Sequence, residues 1–214
     1  MSLRYALLAL LNVGPMTGYD LYKTFESSVG HVWYAADSQI YPELRRMERD
    51  GMVKGEEVPW GERGTKRLYH VTDDGVAAFE RWMNETLEYS RVRDPAHLKA
   101  AYFEWADPDA VRAQLRAHIE HHSELLGHWH ERIREIDEIT NPMLQRRLER
   151  TREPFKRRTI AFKRFAYEGL IGQSEQEIAW AERGLRLLDE LADDGAEGTE
   201  GAEGTLHGPP VIRP

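Results

Sequence analysis

The sequence predicts a mainly α protein with one β-hairpin: three short helices and a hairpin wing, followed by a long helical region. Three observations predict it. Apolar residues recur at helical spacing in three short runs over residues 2–51, each closed by turn-forming residues. Over residues 52–72 the period shortens to two on either side of a turn. From Val111 the helical spacing returns and persists to about residue 192.

Residues 2–12, SLRYALLALLN, read as a helix too apolar to be solvated all round, and Gly14-Pro15 stops it. Thr17-Gly-Tyr-Asp20 fits a capping box that opens a second helix, about 18–28, with Leu21 and Phe25 on one face. A loop holding His31, Trp33 and Tyr34 leads to a third helix, Asp37 to Gly51. Its Ile40, Leu44 and Met47 share one face, and Asp37 or Ser38 can cap its start. Pro42 then belongs in the first turn, and Gly51 suits the left-handed position past the end. Residues 52–58 and 66–72 read as two strands, with 59–65 as the turn between them. A β-hairpin after a third helix is the wing of a winged helix-turn-helix. Thr72-Asp-Asp-Gly75 starts a fourth helix, about 73–89, with Val76, Phe79, Trp82, Met83 and Leu87 apolar.

The second half is read as helical throughout. Asp94-Pro95 and Asp107-Pro108 each pair an N-cap with proline at the first helical position. A long helix, about 108–140, carries Leu115, Ile119, Leu126, Trp129, Ile133 and Ile136. Asn141-Pro142 begins another segment, which Pro154 must break or kink. Ser174-Glu-Gln-Glu177 reads as a further capping box opening a last helix, whose Ile178, Ala181, Leu185, Leu188 and Leu191 form a coiled-coil-like seam. The Gly/Glu-rich residues 193–214 cannot bury enough apolar surface to order themselves, and read as a disordered acidic tail.

At 214 residues, 41% hydrophobic and 31% charged, the chain reads as a soluble protein of one or two domains. Its longest apolar run is too short to span a bilayer. The absence of cysteine excludes disulfides and thiolate metal sites and fits a cytoplasmic protein. A net charge of −8 argues against indiscriminate nucleic-acid binding. Residues 1–75 hold nine Lys/Arg against eleven Asp/Glu, so a DNA-binding role needs a local basic face.

The third helix offers such a face. Opposite its aliphatic stripe lie Ser38, Gln39, Tyr41 and Arg45. Gln can bond adenine bidentately, and Arg45 can reach a guanine or a phosphate. Arg46 and Arg49 fall to backbone contacts or to intrahelical pairs with Glu43, Glu48 or Asp50. Arg63, Lys66 and Arg67 make the wing basic.

The segments ALLALL, GPMTGYDL, SQIYPELRRMERDGMV and KRLYHVTDDG, in this order and spacing, resemble the winged-helix domain of PadR-type bacterial transcriptional regulators. Leu98-Lys-Ala-Ala-Tyr102-Phe103 is similar to the entry into that family's C-terminal helices. Gly169-Leu-Ile171, with Trp180 and Leu187-Leu188, is similar to its final helix pair. The resemblance covers roughly residues 3–192. It implies a winged helix-turn-helix DNA-binding domain, 1–90, followed by a C-terminal helical dimerisation and effector domain, 91–192. It implies a homodimer, usually a repressor, and places Tyr19 near the DNA backbone. It also implies that a planar, apolar effector can lodge among aromatics such as Trp82, Trp105 and Trp129.

Other constellations carry less. His118 and His122 lie one helical turn apart with His121, His128 and His130 nearby, but without an HExxH pattern or a cysteine they read as surface or interface histidines. Nine Lys/Arg between Arg146 and Arg164, against Glu149 and Glu153, read mainly as a solvated face. No acid/base pair, phosphate loop or nucleophile elbow is recognisable, so no enzyme is expected. The expected function is a dimeric, sequence-specific DNA-binding regulator, a repressor relieved by a small aromatic or apolar effector. Its partners are a double-stranded operator and a second copy bound through the C-terminal helices, with no membrane, cofactor or metal. The alternative is a winged-helix interaction module, or a ligand or metal sensor, that does not read DNA directly.

Overall fold

In the computed structural model, which describes residues 2–28, 35–61, 64–89 and 93–197, the three apolar runs become three helices around one core. α1 (Ser2–Leu11) buries Leu7, Leu8 and Leu11. α2 (Gly18–Ser28) adds Leu21 and Phe25, and α3 (Asp37–Arg49) adds Ile40, Leu44 and Met47. None of these side chains is more than 1% exposed. Burying each is worth about 1.5–3 kcal/mol. Helices of 10 to 13 residues are marginal alone, so this cluster holds them in place. The loop with His31, Trp33 and Tyr34 lies outside the described residues.

The cap of α2 forms with one half of the predicted box, and the Asp20 carboxylate meets the Thr17 hydroxyl rather than the backbone. The Thr17 hydroxyl accepts from the Asp20 N–H at 3.2 Å and donates to the Asp20 carboxylate at 2.6 Å. The start of α3 differs. Its N-cap is Ala36, not Asp37 or Ser38, and Gln39 Oε1 accepts from the Ala36 N–H at 3.3 Å. Pro42 therefore lies inside α3, beyond its first turn. Its missing N–H removes one intrahelical bond, a cost outweighed by the three buried side chains around it. The other end closes as read: Gly51 has φ 73°, its N–H reaches Glu48 O, and the Met52 N–H reaches Met47 O. That pair of bonds is a Schellman closure.

The wing is β2 (Val53–Trp60) antiparallel to β3 (Gly64–Val71), with Val53 opposite Val71 and Trp60 opposite Gly64. It runs nearer to its turn than the 52–58 and 66–72 strands of the sequence reading. A third strand, β1 (Met16–Thr17), pairs with β3 and gives the order β1-β3-β2. Two residues are too few to show a period, so the sequence could not reveal it. α4 (Asp73–Asn84) is capped by Thr72, whose Oγ1 accepts from the Gly75 N–H at 3.1 Å and donates to Gly51 O at 2.6 Å. The end of α3, the end of the wing and the start of α4 thus meet at one point. α4 stops at Asn84 rather than near 89; Met83 and Leu87 are exposed and no core holds a further turn.

The remaining helices are α5 (Pro95–Ala100), α6 (Pro108–Asp137), α7 (Pro142–Glu149) and α8 (Glu153–Glu197), with a short 3-10 turn at Phe103–Trp105. Asp94, Asp107 and Asn141 each cap the helix that follows through their side chains. α8 is one continuous helix of 45 residues. This corrects the predicted break and second capping box. Pro154 sits in the first turn, where a missing N–H costs little. Ser174 is buried in mid-helix. Tertiary packing overrides the local start signal, because α8 runs antiparallel along α6. Arg112 pairs with Asp189 at 2.6 Å, Leu115 packs on Gly184, Trp129 lies 6.1 Å from Tyr167, and Asp137 meets Arg164. The helix also continues to Glu197, past the predicted start of the tail; residues 198–214 lie outside the described residues.

Contacts divide the chain into two units: Met1–Tyr89 with Asn141–Arg152, and Ser90–Thr140 with Glu153–Pro214. Residues 141–152 thus group with the first unit. α7 buries Leu144 and Leu148, Met143 packs against the core of the first unit, and Arg150 donates to Val13 O. Among the described residues no helix is long and apolar enough to cross a membrane.

Gly75 supplies a test in which two effects have opposite sign. In a helix, Ala is favoured over Gly by about 1 kcal/mol. A Cβ on Gly75 would sit 2.1 Å from the Met52 carbonyl oxygen, a backbone atom that cannot swing away. Gly75→Ala is expected to destabilise by about 1–3 kcal/mol, the usual cost of overpacking. Urea unfolding monitored by circular dichroism measures it.

Candidate nucleic-acid interface

The polar side of α3, the start of α2 and the wing enclose a concavity of about 830 Å³. Tyr19, Tyr41, Arg45, Trp60, Lys66 and Arg67 line it. Five of the eight DNA-facing residues expected from sequence thus come together here: Tyr19, Tyr41, Arg45, Lys66 and Arg67. Ser38 and Gln39 are exposed on the first turn of α3 and are not part of this lining. Arg63 lies outside the described residues.

Each member is positioned by local chemistry. Gly18 lets Tyr41 approach, since a Cβ there would stand 2.7 Å from Tyr41 Cε1. Tyr19 follows it at 61% exposure. Arg45 projects from α3 between Leu44 and Arg46, and among the described residues no carboxylate pairs with it. Lys66 likewise has no carboxylate partner among the described residues; its Nζ lies 4.0 Å from the centroid of the Trp60 ring. That cation–π contact holds two long side chains of the wing together at little desolvation cost.

Arg67 is employed differently. Its Nη2 meets Glu48 Oε1 at 2.6 Å, and the same oxygen accepts from the Gly55 N–H at 2.9 Å. Glu48 therefore ties α3 to both strands of the wing. The Arg67 guanidinium, followed by the Gly55 N–H, holds the Glu48 carboxyl below its usual range. Sequence periodicity does not reveal this bridge, because its partners lie 7 and 19 residues away and share no periodic signal. Gln39 is also partly committed, since its carboxamide oxygen caps α3.

α3 is fixed on its other flank as well. Arg4 of α1 donates to Glu43 at 2.8 Å and meets Asp50 at 2.9 Å, while Arg46 pairs with Glu43 within the helix. Arg46 is thus the intrahelical partner the sequence suggests.

The three tryptophans expected near an effector differ in surroundings. Trp82 stacks on Tyr5 in the first unit at 4.7 Å, with planes 6° apart. Trp129 is buried beside Tyr167 in the second unit, where Trp105 is 56% exposed. Three cations of the basic run have structural roles: Arg150 serves Val13, Lys156 pairs with Glu153, and Arg164 pairs with Asp137 and Glu168.

Comparison with known proteins gives a consistent pattern. Residues 7–81 match the transcriptional regulator PadR-like family, and residues 92–189 match the virulence activator alpha C-terminal family. The negative transcriptional regulator PadR of Bacillus subtilis is 36% identical over 81 residues, 38% of this chain and 44% of that protein. The chain thus spans less than half the length of this curated relative. The crystal structure of Bacillus subtilis PadR in complex with operator DNA aligns with TM-score 0.69 at 21% identity, covering 88% of this chain and 99% of that one. Its complex with p-coumaric acid aligns with TM-score 0.66 at 22% identity, covering 87% and 95%. At these identities the structural likeness is one of fold.

The lowered pKa of Glu48 sets a pH test. A carboxyl held low in the folded state stabilises the protein above its unfolded pKa, and that contribution is lost as pH falls through the folded value. Glu48→Ala is expected to cost on the order of 1 kcal/mol at neutral pH, discounted for partial exposure. The gap from the parent chain should close below the ordinary carboxylate range, as thermal unfolding across pH would show.

Proposed function

We propose that this chain, whose residues 7–81 are a PadR-like transcriptional regulator domain, is a regulator that reads double-stranded DNA with α3 and the wing. The observation that carries this reading is the concavity where Tyr41 and Arg45 of α3 face Lys66 of the wing. Both cations lack a carboxylate partner among the described residues, although the whole chain carries −8. Unneutralised cations on one face are what phosphate contacts require. α3 supplies Arg45 for a base edge or phosphate, with Ser38 and Gln39 at its exposed first turn. Tyr19 lies at the first turn of α2, where a hydroxyl can meet the DNA backbone.

The finer reading is a homodimeric repressor released by an aromatic or apolar effector. Dimerisation is supported by the first three turns of α8. The antiparallel pairing puts the end of α6 beside Arg164, so the segment before it runs on without α6 alongside. Phe155 and Phe162, 52% and 60% exposed, lie there, with Phe165, 69% exposed, just past Arg164, an apolar stripe suited to a second copy. Repression and an aromatic effector are supported by the named properties of the Bacillus subtilis relative. Trp105 is the most open of the three candidate effector contacts.

The test is fluorescence anisotropy on the DNA upstream of the chain's own gene across a range of salt. Binding is expected to weaken linearly in log–log form, with a slope near 0.9 per phosphate neutralised. Lys66→Ala is expected to flatten the slope by about two for a dimer, one phosphate per subunit. Salt-independent binding, or none, overturns the reading.

A further inference from the structure

We propose that His118 and His122 of α6 and Glu177 of α8 form a binding site for a divalent transition-metal ion of the zinc class. Each residue offers one ligand atom, and these atoms all lie within 4.8 Å of one another. His118 and His122 are one turn apart with ring centroids 4.4 Å apart. Glu177 comes from the facing helix, with Oε2 3.0 Å from His118 Nε2. Two imidazoles and a carboxylate are a donor set that zinc takes at about 2.0–2.2 Å. Ligand atoms around such an ion stand roughly 3.4 Å apart by tetrahedral geometry. Small side-chain rotations reach that spacing, and the two packed helices need not move.

The surroundings favour an ion over a simple His–Glu pair. A pair accounts for His118 and Glu177, whose side chains are 17% and 22% exposed. It leaves His122 Nδ1 buried without a hydrogen-bond partner. A buried, unsatisfied ring nitrogen is costly, and a metal ion nearby gives the imidazole a role. Trp180 packs edge-on to His118 at 5.2 Å, and His97 stacks on Trp180 at 4.3 Å, walling one side of the cluster. His97 is not among the three residues whose ligand atoms lie within 4.8 Å of one another. Three protein ligands leave a fourth position for water or for a ligand atom of an effector. The ion would clamp α6 to α8 midway along their antiparallel contact, and the proposal stands independently of DNA binding.

Isothermal titration of zinc chloride into the tag-free full chain tests it, with cobalt(II) as a visible reporter of coordination. One ion per chain is expected to bind with micromolar affinity or better, to raise the unfolding temperature and to give the intense d–d bands of a tetrahedral cobalt site. Glu177→Gln and His122→Gln are each expected to weaken binding at least tenfold. His128→Gln and His130→Gln should leave it unchanged. Circular dichroism of the metal-free variants shows that they fold; if His122→Gln does not, Glu177→Gln decides alone. No heat of binding up to micromolar zinc, a pale octahedral cobalt spectrum, or undiminished affinity in Glu177→Gln overturns the site.

Discussion

α3 can present a polar face only because its opposite face is immovable. Ile40, Leu44 and Met47 are fully buried against the leucines of α1 and the Leu21–Phe25 pair of α2. Truncating any one of them would remove a few kcal/mol, a large fraction of a typical domain's stability. That stripe fixes the rotation of the helix about its axis, and so decides which residues face outward. The polar ties refine its position. Arg4 holds Glu43 and Asp50 on one flank, and Glu48 holds Arg67 and Gly55 on the other. The Schellman closure at Gly51 then delivers the chain into β2, where the Thr72 hydroxyl binds the same turn. Helix and wing form one unit because they share a junction, a carboxylate and a core.

The charge pattern follows from that arrangement. A protein of net charge −8 cannot rely on a diffuse field to hold an anion. It can still do so locally if a few cations are kept clear of carboxylates. Glu43, Glu48 and Asp50 of this region are committed to Arg4, Arg46 and Arg67. Arg45 and Lys66 are left facing the concavity. Those three carboxylates thus serve as internal fasteners; Glu48, and Asp20 held by Thr17, also line the concavity beside Arg45, Lys66 and Arg67.

Much of the α3–wing unit is legible in the sequence because its signals are local. The Thr17 cap, the 40-44-47 stripe, Gly51 and the Thr72–Gly75 cap each span at most eight residues, and each does in the fold what its chemistry suggests. Pairings between distant residues were not legible. Glu48 to Arg67, Glu177 to His118 and β1 to β3 depend on tertiary contact and leave no period. Packing overrides one local start signal. The capping box at Ser174 sits inside a continuous helix, because the packing of α6 along α8 outweighs any gain from starting a new one. The proline of Asn141-Pro142 opens a helix as read, yet α7 packs with the winged helix rather than with the helices that flank it in sequence. Arg45, Lys66 and Tyr41 were identified as candidates by residue type and helix face; their convergence on one concavity required the fold.

The most direct measurement is photocrosslinking of the chain to its upstream DNA carrying 4-thiothymidine across the binding site, with the crosslinked peptides identified by mass spectrometry. The account predicts crosslinks in α3, around Tyr41 and Arg45, and in the wing, around Trp60 and Lys66. Crosslinks confined to the basic stretch around Arg152–Arg158, or to α6, would contradict it.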